Sequence, residues 1–213
     1  MTALEFWYDF HSPWAYLAAT RIEGLASRHG LGVHWRPLHL PRLNEAIKGR
    51  RPLEENPAFV AWYKQDLQDW AQLYGVVVRY HPGYPLKPAR ALRAALRAAE
   101  LGGAAPFALA VFKAYWSESR DISDLNVLGE LAGSSGFDGA EIMRAAEDDR
   151  YRRILESNTK EAIARGVFGV PSIFWRDKLF FGNDRLALLE HWLDEGGLRA
   201  DHDRDAPGPV SRE

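Results

Sequence analysis

A chain of 213 residues, 46% hydrophobic and 12% aromatic, has the apolar mass for a substantial core, which excludes a disordered protein or a disulfide-stapled miniature scaffold. Its 27 basic and 29 acidic residues leave a formal charge of −2 and are interspersed, which argues against nucleic acid or an anionic membrane as partner. There is no cysteine, so disulfides, thiolate metal sites and any dithiol redox cycle on the chain's own side chains are excluded; thiol chemistry here must borrow its thiol.

The first predicted element is a strand over 4–10, with Leu4, Phe6, Tyr8 and Phe10 on one pleated face. Glu5 and Asp9 interrupt any secretory apolar core there, and no uncharged apolar run reaches the ~18 residues of a membrane span, so a cytoplasmic protein is expected. Ser12 then has the character of an N-cap and Pro13 of a first helical residue, with Tyr16, Leu17, Thr20 and Ile22 continuing a helical face. A serine so placed faces free N–H groups with partial positive charge, a field that favours an anion such as a thiolate; the local sequence also allows a plain helix cap. The helix closes near Gly30, and 32–37 reads as a second strand.

Between Pro41 and Gly166 the periodicity is helical almost throughout, with stretches at 59–74, 88–101, 106–118, 122–134 and 138–165. The basic run Lys87, Arg90, Arg93 and Arg97 has helical spacing with alanines between and reads as a solvated helix face. Strand character returns over 171–175, a turn follows at Arg176-Asp177, and 178–181 is the second arm of a hairpin. Gly182-Asn183-Asp184 stops that arm and caps a last helix over 185–193, beyond which a charged, turn-rich stretch without apolar periodicity reads as a mobile tail. The predicted fold is α/β: a thioredoxin-like β-α-β…β-β-α sheet lobe from 1–40 and 166–196, a large all-helical insertion lobe over 41–165, and a tail over 197–213. A ligand cleft is expected between the lobes, beside Ser12.

Three separated motifs carry a resemblance. Tyr8-Asp9-Phe10-His11-Ser12-Pro13-Trp14-Ala15-Tyr16-Leu17, Gly166-Val167-Phe168-Gly169-Val170-Pro171 and Phe181-Gly182-Asn183-Asp184-Arg185-Leu186 together resemble the 2-hydroxychromene-2-carboxylate isomerase family, allied to kappa-class glutathione transferases within the DsbA-like thioredoxin superfamily. The likeness spans 4–193. Redox members of that superfamily carry Cys-x-x-Cys where this chain has Ser12-Pro13-Trp14-Ala15, so thiol–disulfide exchange is excluded. The resemblance implies reduced glutathione as cofactor, with Ser12 donating a hydrogen bond to its sulfur and thereby favouring the thiolate, which is the nucleophile.

It further implies that Val170, before a cis Pro171, offers backbone groups to the cysteinyl amide, and that Asn183 and Asp184 hold the γ-glutamyl end. From local sequence, a trans proline opening a strand and an Asx helix cap are the plainer readings of these two sites. Kappa-class and many isomerase sequences have a glycyl-carboxylate-binding lysine early in the first inserted helix, where this chain has Phe59; that contact is in question. Lys87 stands near a position usually held by asparagine and could receive a substrate carboxylate, or could be an ordinary surface lysine. Trp14 and Tyr84 are candidates for lining an aromatic acceptor pocket, unless they serve core packing, and His11 for polarising a substrate oxygen or relaying a proton.

No metal-ligand histidine spacing, Gly-rich phosphate loop or Gly-x-Ser-x-Gly elbow occurs. The function that the resemblance implies is glutathione-dependent cis/trans isomerisation of an unsaturated aromatic keto acid by reversible thiolate addition, in a homodimer. The competing readings are a kappa-like transferase, which would retain the thioether, and a DsbA-like non-redox ligand-binding scaffold.

Overall fold

The computed structural model describes residues 3–49 and 56–195; the expected tail over 197–213 lies outside them. Strand β1 (Ala3–Tyr8) pairs in parallel with β2 (Gly32–Pro37) and antiparallel with β3 (Ser172–Trp175), which pairs antiparallel with β4 (Lys178–Phe181). The sheet order is β2-β1-β3-β4, so the strand that leads into Ser12 is central. Helix α1 (Pro13–Arg28) links β1 to β2 as the crossover that a parallel pair requires. Strand β1 ends at Tyr8, two residues before the expected end, yet Phe10 stays fully buried in the turn.

Between the two strand pairs lie α2 (Leu40–Ala46), α3 (Pro57–Tyr74), α4 (Ala89–Glu100), α5 (Ala104–Trp116), α6 (Leu125–Ser134), α7 (Gly139–Glu147) and α8 (Asp149–Ala164). Helix α2 was not resolved by the sequence periodicity, being only 7 residues long. The single helical stretch expected over 138–165 is two helices. Asp148, in extended conformation, ends α7 and caps α8 by accepting from the Arg150 N–H at 2.7 Å. The start of α6 is likewise later than expected, because Asp124 caps it through the Asn126 N–H at 2.8 Å.

The basic run on α4 is not wholly solvated: Arg90 pairs with Glu147, and Arg97 with Glu141 of α7 and with Glu100. These arginines stitch two helices. The chain closes through a 3-10 turn, Asn183–Arg185, and α9 (Leu186–Asp194), so the last helix begins with a tighter turn than its periodicity suggested.

Sheet and inserted helices share one core. Phe112 of α5 meets Tyr8 at 5.7 Å, Phe10 at 4.8 Å and Tyr16 at 5.7 Å between ring centroids. The indole N–H of Trp116, also on α5, donates to the Phe10 carbonyl at 2.8 Å. Helix α5 therefore buttresses the turn that carries Ser12. Among the described residues no helix is long and apolar enough to cross a membrane.

Candidate active site

Ser12 is the N-cap of α1, with Pro13 in the first turn where a missing N–H is harmless. Its Oγ accepts from the Ala15 N–H at 3.2 Å and donates to the Val170 carbonyl at 3.2 Å. The second bond crosses 158 residues of sequence and brings two predicted site residues into direct contact. Only 6% of Ser12 is exposed, so an anion at this turn would meet a largely dry hydroxyl and the helix N-terminus together. The hydrogen now reaching Val170 is the one such an anion would compete for. Val170–Pro171 is cis, as the resemblance implied and as local sequence alone did not favour.

The Pro171 carbonyl accepts from the Gly182 N–H at 3.0 Å, which ties this loop to the Asn183–Asp184 turn. Gly182 has φ 107°, and a Cβ there would collide with Asp184 Oδ1. Gly182→Ala is expected to cost about 1–3 kcal/mol in chemical denaturation and to displace the Asp184 carboxylate. Asn183 is 3% exposed, and its buried Nδ2 meets no acceptor in hydrogen-bond geometry, although the Tyr74 side chain lies beside it. A carboxylate is the natural complement to such an orphaned donor, so the turn fits an amino-acid headgroup.

Facing this turn, α3 presents Asp66, Trp70 and Tyr74 at four-residue spacing. Burial and the like charges of Asp69 and Asp184 raise the Asp66 carboxyl above its ordinary range, partly offset by the Trp70 indole. Tyr74 is raised mainly by burial and drawn back by the neighbouring Asn183 side chain and by Arg21, whose guanidinium lies 4.7 Å from the ring centroid. Two carboxylates converging from different elements make this end of the site suited to a cation.

The other end is aromatic. His11 packs edge-on against Tyr84 at 5.3 Å, Tyr84 against Tyr80 at 5.1 Å, and both tyrosines against Trp116. The Trp14 indole N–H donates to Tyr63 Oη at 2.8 Å, and Tyr63 lies 6.0 Å from Phe59 between ring centroids. Burial, then Tyr63 and Tyr84, push the Tyr80 phenol well above its usual range, which links the two aromatic groups and keeps that hydroxyl a proton donor.

Ser12, Val170 and Pro171 are thus joined, Asn183 and Asp184 are tied to them through Gly182, and His11, Trp14 and Tyr84 belong to the adjoining aromatic wall. Lys87 is exposed, just before α4 and three residues beyond Tyr84. Sequence reasoning missed Tyr63, Asp66, Trp70, Tyr74 and Tyr80. The first four share a helical stripe with Phe59, a signal that was present but reads as ordinary amphipathicity; Tyr80 lies in an irregular segment with no period to flag it.

The profile of the DsbA-like thioredoxin domain matches residues 3–194. A 2-hydroxychromene-2-carboxylate isomerase from Pseudomonas putida is 32% identical over 190 residues, covering 88% of this chain and 92% of that one. The chain belongs to the 2-hydroxychromene-2-carboxylate isomerase family. A family member of known structure, an HCCA isomerase, superposes with a TM-score of 0.81 at 30% identity, over 92% of this chain and 95% of its own. Glutathione S-transferase kappa 1 of Caenorhabditis elegans is 23% identical over 206 residues, 90% of this chain and 91% of that one.

Proposed function

We propose that this protein is a glutathione-dependent cis/trans isomerase of the 2-hydroxychromene-2-carboxylate isomerase type, acting on an unsaturated aromatic keto acid. The observation that carries the reading is the Ser12 hydroxyl at the head of α1, in contact with Val170 beside cis Pro171, in a chain without cysteine. Glutathione, when bound, supplies a thiolate that adds reversibly to the conjugated carbon, so that the former double bond can rotate before the thiol leaves unchanged.

The chain's own residues bind, orient and exclude water. Ser12 donates to the sulfur and, with the helix field, holds it as thiolate. The Val170 backbone aligns the cysteinyl amide, Asn183 Nδ2 meets the γ-glutamyl carboxylate, and Asp184 with Asp66 meets its ammonium. The aromatic wall of Trp14, Tyr80 and Tyr84, backed by the buried Trp116, takes the acceptor, with His11 beside the developing negative charge on its oxygen. With Phe59 in place of the family lysine, the glycyl carboxylate gains no cation from that position. A cytoplasmic homodimer is part of this reading; exposed Trp62 on α3 offers apolar area to a second copy.

Calorimetry with glutathione, followed by spectra of the acceptor, tests the proposal. Catalytic glutathione with a changed chromophore is the expected result; stoichiometric loss of glutathione means transfer instead, and absence of binding means a scaffold. Asp184→Ala is expected to weaken glutathione binding about tenfold or more, as the loss of a charge-assisted contact of about 1.5–3 kcal/mol.

A further inference from the structure

Asp9, three residues before Ser12, is the one fully buried carboxylate among the described residues and has no part in the mechanism above. Its Oδ1 accepts from the His11 N–H at 2.9 Å and its Oδ2 from the Leu40 N–H at 2.8 Å, while its backbone carbonyl accepts from the Ser12 N–H at 3.1 Å. One side chain therefore ties the Ser12 turn to the first residue of α2. The residue whose N–H it holds within the turn, His11, packs against Tyr84 of the aromatic wall.

We infer that Asp9 is a positioning residue whose charge state sets the geometry of the His11–Tyr84 wall, so that one buried proton adjusts the acceptor side of the cleft. Ionised, the carboxylate grips both N–H groups with charge-assisted bonds; protonated, one oxygen becomes a hydroxyl and releases its hold on His11 or on Leu40. The inference rests on the isomerase reading for its kinetic consequence but not for the titration itself.

Burial raises the Asp9 carboxyl to about 7, against the lowering effect of the two N–H bonds, so both states are populated near neutrality. The titratable groups facing it are Tyr8 of β1 and Tyr115 of α5, both raised mainly by burial and further by its charge, and His11 within the turn. His39, which caps α2, is lowered by burial, then by Arg42 and His11, and so brings no counter-charge at neutral pH. The sign follows: the folded carboxyl titrates above its unfolded value of 3.8, so its stabilising contribution is full below that value and is lost as pH rises towards 7.

The test compares wild type with Asp9→Asn, which keeps the shape and one acceptor but cannot titrate. The expected results are a His11 amide resonance that in the wild type carries a step sharing the midpoint of the Asp9 carboxyl carbon, a step absent from the variant whatever the His11 imidazole itself contributes, and a thermal midpoint that falls more steeply with rising pH in the wild type than in the variant. With glutathione and the acceptor, the pH profile of kcat/KM should contain a component at that same midpoint, and the variant should lose that component, keeping the one set by the thiol, together with about tenfold in rate, glutathione affinity changing less than about twofold. A wild-type His11 resonance without a step at the Asp9 midpoint, or the same step in the variant, overturns the inference. Should Asp9→Asn not fold, carbon-detected titration of the Asp9 carboxyl in the wild type decides, and a midpoint near the unfolded value overturns it. If the wild type bound no glutathione, the isomerase reading would fail while the His11 titration would still decide the role of Asp9.

Discussion

Ser12→Ala is expected to lower kcat/KM for the glutathione-dependent reaction by about 10- to 100-fold, the loss of a hydrogen bond to a charged sulfur worth about 1.5–3 kcal/mol. Two further contacts go with it, because the same Oγ caps α1 through Ala15 and donates to Val170. Alanine should therefore also reduce stability by about 1 kcal/mol, whereas glycine, a tolerable N-cap, should reduce it by a few tenths only. If Ser12 acts on the sulfur, both variants lose activity alike while differing in stability. If it is only a cap, activity tracks stability and Ser12→Gly stays close to wild type. Absorbance of the bound thiolate against pH adds the direct readout: its midpoint should move up in both variants.

The largest stability effect is expected at Phe112. It is fully buried, and its ring meets Tyr8, Phe10 and Tyr16, so Phe112→Ala removes an aromatic side chain from the junction of β1, the Ser12 turn, α1 and α5. Truncation at such a position costs about 3–5 kcal/mol, and for a chain of this size that corresponds to a fall of roughly 6–20 °C in Tm. Thermal unfolding followed by near- and far-ultraviolet circular dichroism checks this, with one shared transition at the lower temperature as the expected outcome. A loss below about 1 kcal/mol would mean that the junction repacks freely.

The periodic and punctuated parts of the chain were legible. Alternating residues in β1, Ser12-Pro13 at the head of α1, and the hairpin 172–181 follow from rules that act over a few residues, and they fix the sheet and the turn. The break at Asp148 was not legible, because an uninterrupted apolar stripe outweighs a single capping side chain when only spacing is read. Nor was the pairing of acidic groups at the far end of the site. Asp66 and Asp184 are 118 positions apart in sequence, and only the packing of α3 against the C-terminal turn makes them neighbours. Asp9 looked like a polar interruption of a strand; its importance comes from burial, which local pattern cannot report.

Helix α3 touches both ends of the candidate site, Tyr63 at Trp14 and Tyr74 beside Asn183. At the rise of an α-helix these two phenols are about 17 Å apart along one rod, so the separation of the two anchor points is fixed by the backbone and not by either ligand. The helix is a calliper. Inserting or deleting one residue between the two tyrosines would turn one relative to the other by about 100°, and no side-chain adjustment could then keep both jaws on their marks.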